Sequence, residues 1–310
     1  MAEAHRRDPP LALQQRGESL AAGLPPLLVA AERVASTVAQ GVHGRRRVGQ
    51  GETFWQFRQY EIGDSPQSID WRQTAKSDRV FVRQLEWEAA QSVWLWRDGS
   101  ASMDWRSSRD LPSKRERADL LLLALIVLLL RAGERVALLG KPGLPSSSRG
   151  SLSRLALTLE RETAAGVAAG VAAGAGTVDR LPPVETLPRF AQVVLLGDFL
   201  APLEQIEADL KRYAERGLKG HVLQILDPAE ATLPYHGRVR FEGLEGEPPW
   251  LLGRAETVRE SYLRRLSLQT QGVIDICRRI GWTAGQHRTD ASAQAALLGL
   301  YGALSQRVGL

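Results

Sequence analysis

Cysteine is almost absent from this chain: Cys277 is the only one among 310 residues. One thiol excludes an intramolecular disulfide framework. Its apolar helical surroundings mark it as an inert core residue rather than a nucleophile. The five histidines, His5, His43, His221, His236 and His287, are scattered, and none forms the His-Glu-x-x-His pair that holds zinc. No Gly-x-Ser-x-Gly elbow is present, since Asp98-Gly99-Ser100-Ala101-Ser102 has Asp and Ser where the glycines belong. Gly140-Lys141-Pro142 lacks the glycine run and the Ser or Thr of a phosphate loop. A haloacid-type phosphatase needs a second Asp where Ser100 stands. These absences lead us to expect a protein that is not an enzyme.

Long apolar runs are missing as well. Leu120 to Leu130 is the most apolar stretch, closed by Asp119 and Arg131, and falls well short of the ~20 residues of a membrane span. Met1 to Pro10 lacks the apolar centre of a signal peptide. The expected location is the cytoplasm. A net charge of +5 with 24% charged residues is too mild and too evenly spread to imply nucleic acid by itself. A hydrophobic content of 44% is that of a chain burying a sizeable core.

What the chain does contain is an alternation of apolar strands and helices. Residues 1–40 read as a leader with one helix, near Pro26 to Gln40. Residues 41–92 form a segment dense in aromatics, glycine and charge, and six of the eight tryptophans lie between Trp55 and Trp105. That clustering predicts an aromatic-rich β segment packed on itself or on the main domain. Residues 93–305 then alternate: strands at Val93–Trp96, Arg135–Leu139, Gln192–Leu196, His221–Leu226 and Trp282–Gly285. Helices are expected at Arg115–Ala132, Ser151–Glu162, Leu203–Arg216 and Thr257–Arg279, with a last one at Ala291–Leu304 capped by Thr289-Asp290. Residues 164–176, AAGVAAGVAAGAG, read as a flexible spacer, and a short hairpin is expected around Arg238–Phe241. The pattern predicts an α/β fold, a doubly wound, mostly parallel, Rossmann-type sheet.

Asp98-x-Ser100-x-Ser102 follows directly on the first strand of that domain. One carboxylate and two hydroxyls on a tight loop make an all-oxygen donor set suited to a hard cation such as Mg²⁺. Open α/β sheets bind ligands at the carboxyl ends of their strands. In the strand order 3-2-1-4-5-6, strands Val93–Trp96 and Gln192–Leu196 are neighbours, which brings Asp198 opposite Asp98. Such a site keeps a position that a partner's Asp or Glu can take. Asp and Ser are also ordinary turn and cap residues, and spacing alone leaves both readings open.

Ahead of this loop stand Gly49-x-Gly51-Glu52-x-Phe54, Phe57-Arg58-x-Tyr60, Gly63-Asp64, Ile69-Asp70-Trp71 and Ala75-Lys76. This ordered string, running into Asp98-x-Ser100-x-Ser102-Met103, resembles the DUF58 family. The C-terminal part of that family is similar to a von Willebrand factor A domain with a metal-ion-dependent adhesion site. The resemblance implies a metal-dependent protein-binding module holding Mg²⁺, or Mn²⁺, through Asp98, Ser100, Ser102 and Asp198. It implies work beside a MoxR-type AAA+ ATPase in complex assembly or chaperone-like roles, with an acidic side chain of the partner captured on the ion. Two departures stand out: the threonine of such sites has no clear match, with Thr163 and Thr177 as candidates, and Gln67-Ser68 replace a basic residue before Ile69.

Arg58, Tyr60, Asp64, Asp70 and Trp71 admit two readings, an ion-pair and anchor network of structural purpose or a docking surface. A reading from another class takes Arg45-Arg46-Arg47 with Phe54, Trp55, Phe57 and Tyr60 as a single-stranded nucleic-acid platform. Residues 41–115 carry 13 Lys and Arg against 10 Asp and Glu, so no broad positive face supports it.

Overall fold

The computed structural model describes residues 26–41, 54–60, 69–76, 79–85, 92–171, 181–183, 185–188, 191–244 and 248–305. They fall into two compact units, a small one within 44–91 and a large one made of the remainder. The large unit includes α1 (Pro26–Gly41), whose Ala31, Val34, Ala35 and Val38 are buried at helical spacing. The expected leader helix is therefore part of the α/β core.

In the small unit, β1 (Phe54–Gln59) pairs antiparallel with β2 (Phe81–Leu85), and the four-residue α2 (Trp71–Thr74) lies between them in sequence. Backbone bonds from Tyr60 N–H to Val80 and from Asp70 N–H to Phe81 tie the connection to the hairpin, and Thr74 Oγ1 accepts from Phe81 N–H. Tyr60 and Asp70 are half-buried, whereas Trp71 is 68% exposed. The Arg58 side chain, Asp64 and the Arg45–Arg47 run lie outside the described residues.

The large unit continues with β3 (Ser92–Arg97), α3 (Lys114–Arg131), β4 (Arg135–Leu138), α4 (Arg149–Val171) and β5 (Gln192–Gly197). Next come α5 (Leu203–Ala214), β6 (Lys219–Leu226) and α6 (Pro228–Thr232), then the hairpin β7 (Val239–Phe241) and β8 (Trp250–Leu252). It closes with α7 (Arg259–Arg279), β9 (Thr283–Arg288) and α8 (Ala293–Ser305). Five strands form one parallel sheet in the order β4-β3-β5-β6-β9. Counted within the sheet this is 2-1-3-4-5, not 3-2-1-4-5-6. The reversal of direction still falls between β3 and β5.

Successive side chains of each strand serve opposite faces. Val93, Leu95, Val136, Leu138, Val194, Leu196, Leu223 and Ile225 pack with α1, α3 and α8. Trp94, Trp96, Ala137, Leu139, Val193, Leu195 and Val222 pack with α5 and α7. Two of the clustered tryptophans thus belong to the core of the sheet, because they alternate in step with the strand, rather than to an aromatic segment of their own.

Two further differences from the sequence reading have local causes. The helix read as ending at Glu162 runs on to Val171, since alanine, the strongest helix former, outweighs Gly166 and Gly170. Residues 172–176 of the expected spacer lie outside the described residues. The last helix starts later than expected because Ser292 Oγ, not the Thr289 or Asp290 side chain, accepts the first-turn bond from Ala295 N–H. Thr289 instead uses its N–H to continue the sheet onto Leu226. Among the described residues, no helix is long and apolar enough to cross a membrane.

Candidate functional site

The carboxyl ends of β3 and β5 meet at the switch point. Asp98 N–H donates to Leu196 O at 2.8 Å, extending the parallel ladder one residue past β3. The chain then turns, because Asp98 Oδ1 accepts the Ser100 N–H at 2.7 Å, an Asx-type closure. A 3-10 turn over Ala101–Asp104 follows, pinned beneath by the fully buried Met103. Arg115 braces the loop: its guanidinium donates to Ser100 O at 2.9 Å and Gly99 O at 3.1 Å, and pairs with both Asp104 oxygens.

Opposite, Asp198 leaves β5 into a bend where Phe199 takes a left-handed φ of 50°, a conformation that non-glycine residues adopt rarely and mainly where surrounding contacts demand it. Those contacts are present. Gln269 Nε2 of α7 donates to Phe199 O and Ala201 O, and Gln224 Nε2 of β6 donates to Asp198 O. Gly197 leaves room for the approach, since a Cβ there would stand 2.9 Å from Asp98 Cβ.

The four residues expected from the sequence converge. Ser100 Oγ and Ser102 Oγ are 3.0 Å apart, and Ser102 Oγ donates to Asp198 Oδ2 at 2.6 Å. Asp98 and Asp198 are both buried. Burial, and then the neighbouring Asp198 charge, push the Asp98 carboxyl up to about 6. The Thr163 side chain and Thr177 lie outside the described residues.

Two residues at the centre of the cluster were not expected. Lys114, the first residue of α3, is wholly buried and donates to Asp198 Oδ2 at 3.0 Å and to Glu230 Oε1 at 2.7 Å. Burial works against its charge, but Asp198 and Glu230 outweigh it and hold the ammonium above its usual range. Burial likewise raises Glu230, against the pull of Lys114. Each comes from a capping box: Ser113 with Glu116 starts α3, and Asp227 with Glu230 starts α6. Both boxes are legible as Ser-x-x-Glu and Asp-Pro-x-Glu. A lysine in a first turn, at the positive end of the helix, is the one signal that marks Lys114. An open cleft of about 300 Å³ lined by Ser107, Pro228, Ala229, Thr232, Pro234 and Tyr235 runs along the same α6 segment.

The donors are oxygens only. Among the described residues no three His, Cys, Asp or Glu side chains converge as a metal cluster. A cation here would therefore rest on the two hydroxyls and one direct carboxylate, a donor set that fits Mg²⁺ or Mn²⁺ with open positions left for water or a ligand. Ser102 gives its proton to Asp198, so Asp198 fits the orienting role of an outer carboxylate.

A family model described as "protein of unknown function DUF58" matches residues 56–271, from β1 into α7. The chain belongs to the DUF58 family. The DUF58 match contains every residue of the cluster, Lys114 and Glu230 included. Uncharacterized proteins of Mycobacterium bovis and Mycobacterium tuberculosis are 26% identical to this DUF58 chain over 280 residues, covering 87% of it and 85% of theirs. Among solved structures, the conserved hypothetical protein BatB from Bacteroides thetaiotaomicron is similar over 70% of this chain and 100% of its own, at 16% identity and a TM-score of 0.37. An aerotolerance-related membrane protein from Bacteroides fragilis is similar over 69% and 98%, at 15% identity and a TM-score of 0.34.

Proposed function

We propose that this chain is a non-enzymatic protein-binding module of the cytoplasm, and that its cluster at the switch point is an adhesion site of the von Willebrand factor A type. Asp98, Ser100 and Ser102 hold a Mg²⁺ or Mn²⁺ ion, and Asp198 orients Ser102 from outside. When bound, the ion supplies a Lewis-acidic centre on which a carboxylate oxygen of a partner completes the coordination. The single observation that carries this reading is the convergence of Ser100 Oγ, Ser102 Oγ and Asp198 Oδ2 within 3.0 Å steps beside Asp98.

Burial pushes the Cys277 thiol up to about 12, which keeps it protonated near neutral pH and suits it to packing rather than attack. The partner is a protein offering an acidic side chain. The family resemblance points to a MoxR-type AAA+ ATPase, with the cleft beside α6 receiving the residues that flank the acid.

Calorimetric titration of Mg²⁺ and Mn²⁺ into the full chain tests the reading. Saturable binding to the wild type that disappears in Asp98→Ala is the expected result. A wild type that binds neither ion overturns it.

A further inference from the structure

We infer that Lys114 is the specificity-determining residue that makes this site take an anionic ligand in preference to a neutral one; the inference rests on the divalent-cation reading above. Lys114 brings a fixed ammonium to two carboxylates from two different strand ends, Asp198 after β5 and Glu230 after β6. The lysine is fully buried. A buried ammonium is costly unless it is paired and hydrogen-bonded, and at the first turn of α3 it also faces the positive end of its own helix. Helix stability therefore gives no reason for a lysine at this position. Its effect is on the charge of the cluster.

Asp98, Asp198 and Glu230 contribute three negative charges and Lys114 one positive charge. A divalent ion brings these four groups to neutrality. The adjoining Arg115–Asp104 pair cancels internally. A carboxylate approaching the loaded cluster then meets a cation within a neutral frame. Were Lys114 uncharged, the same loaded cluster would keep one negative charge and repel the carboxylate in a region partly stripped of water, where such a charge acts strongly. Lys114 thus trades affinity for the ion against affinity for the anion carried on it.

The full chain loaded with Mn²⁺ tests this, with acetate as the carboxylate probe and acetamide as its neutral isostere. Paramagnetic broadening of the methyl proton signal reports capture, and calorimetry reports Mn²⁺ affinity. Lys114→Met is expected to bind Mn²⁺ about tenfold or more tightly and to capture acetate about tenfold or more weakly. Glu230→Gln keeps the Lys114–Asp198 contact and is expected to move both readings the other way, with weaker Mn²⁺ binding and stronger acetate capture. Acetamide broadening stays the same in all three proteins. Should Lys114→Met fail to fold, Glu230→Gln decides alone. Unchanged acetate capture in a folded variant that still binds Mn²⁺ overturns the inference, whereas a wild type that binds no Mn²⁺ overturns the metal reading beneath it.

Discussion

Asp98 shows how a side chain can serve a site at the expense of the fold. Burial and the adjacent Asp198 raise its carboxyl from 3.8 to about 6, so the folded protein holds that proton more tightly than the unfolded chain does. Folding takes up a proton between those two values, and the contribution of Asp98 to stability falls as pH rises through the same window. At pH 7 the deficit is on the order of 2–3 kcal/mol. Asp98→Asn keeps an acceptor for the Ser100 N–H and is expected to stabilise the metal-free protein by that order at pH 7. The gain should fade toward pH 4, as read from denaturant unfolding in a chelator. Asp98, Ser100, Ser102 and Asp198 were legible in the sequence because each sits where a strand ends. Lys114 and Glu230 were not, because capping boxes locate the start of a helix but do not say which carboxylate an ammonium will reach across the sheet.

At the level of elements, α3 is the clearest case of a pattern whose cause lies elsewhere in the chain. Every residue from Leu121 to Leu129 is buried, more than a helix with one face on a sheet requires. The second cover is α1, and Ala31 and Ala35, both without exposed surface, allow its backbone to lie close. The sequence displayed the all-apolar helix plainly but left its covering helix looking like a leader, since an amphipathic stretch of 16 residues does not name its partner. Ala35→Asp places an unpaired carboxylate in that seam and is expected to destabilise the protein by about 3 kcal/mol or more, checked by the midpoint of urea unfolding. A surface helix would change by less than about 0.5 kcal/mol. The strand order was half legible in the same sense. The neighbours β3 and β5 follow from the switch-point rule, while the number of strands beyond β4 depends on residues that periodicity does not assign.

Over the whole molecule, two histidines on the last two strands of the sheet weaken the fold in acid. His221 lies on β6 with its Nδ1 2.7 Å from Thr283 Oγ1, and His287 is buried on β9 near Arg117. Burial, with Lys219 and Arg117 adding, lowers both to about 4. A depressed histidine contributes stability that is complete above about 6.5 and is lost as pH falls toward 4. The loss reaches roughly 3 kcal/mol for each, opposite in sign to the effect of Asp98. Thermal unfolding followed from pH 7 to 4 should show this decline, and His221→Gln with His287→Gln should flatten it. The close approach at Gly197 has a consequence of another kind. Any side chain there would pry the β5 end away from Asp98, so the two strand tips behave as one machined part that tolerates no spacer. A repertoire of proteins built on this scaffold would leave position 197 alone and diversify the exposed Leu200, whose N–H bonds to Asp198. Recognition would then change from one member to the next around a core that none of them alters.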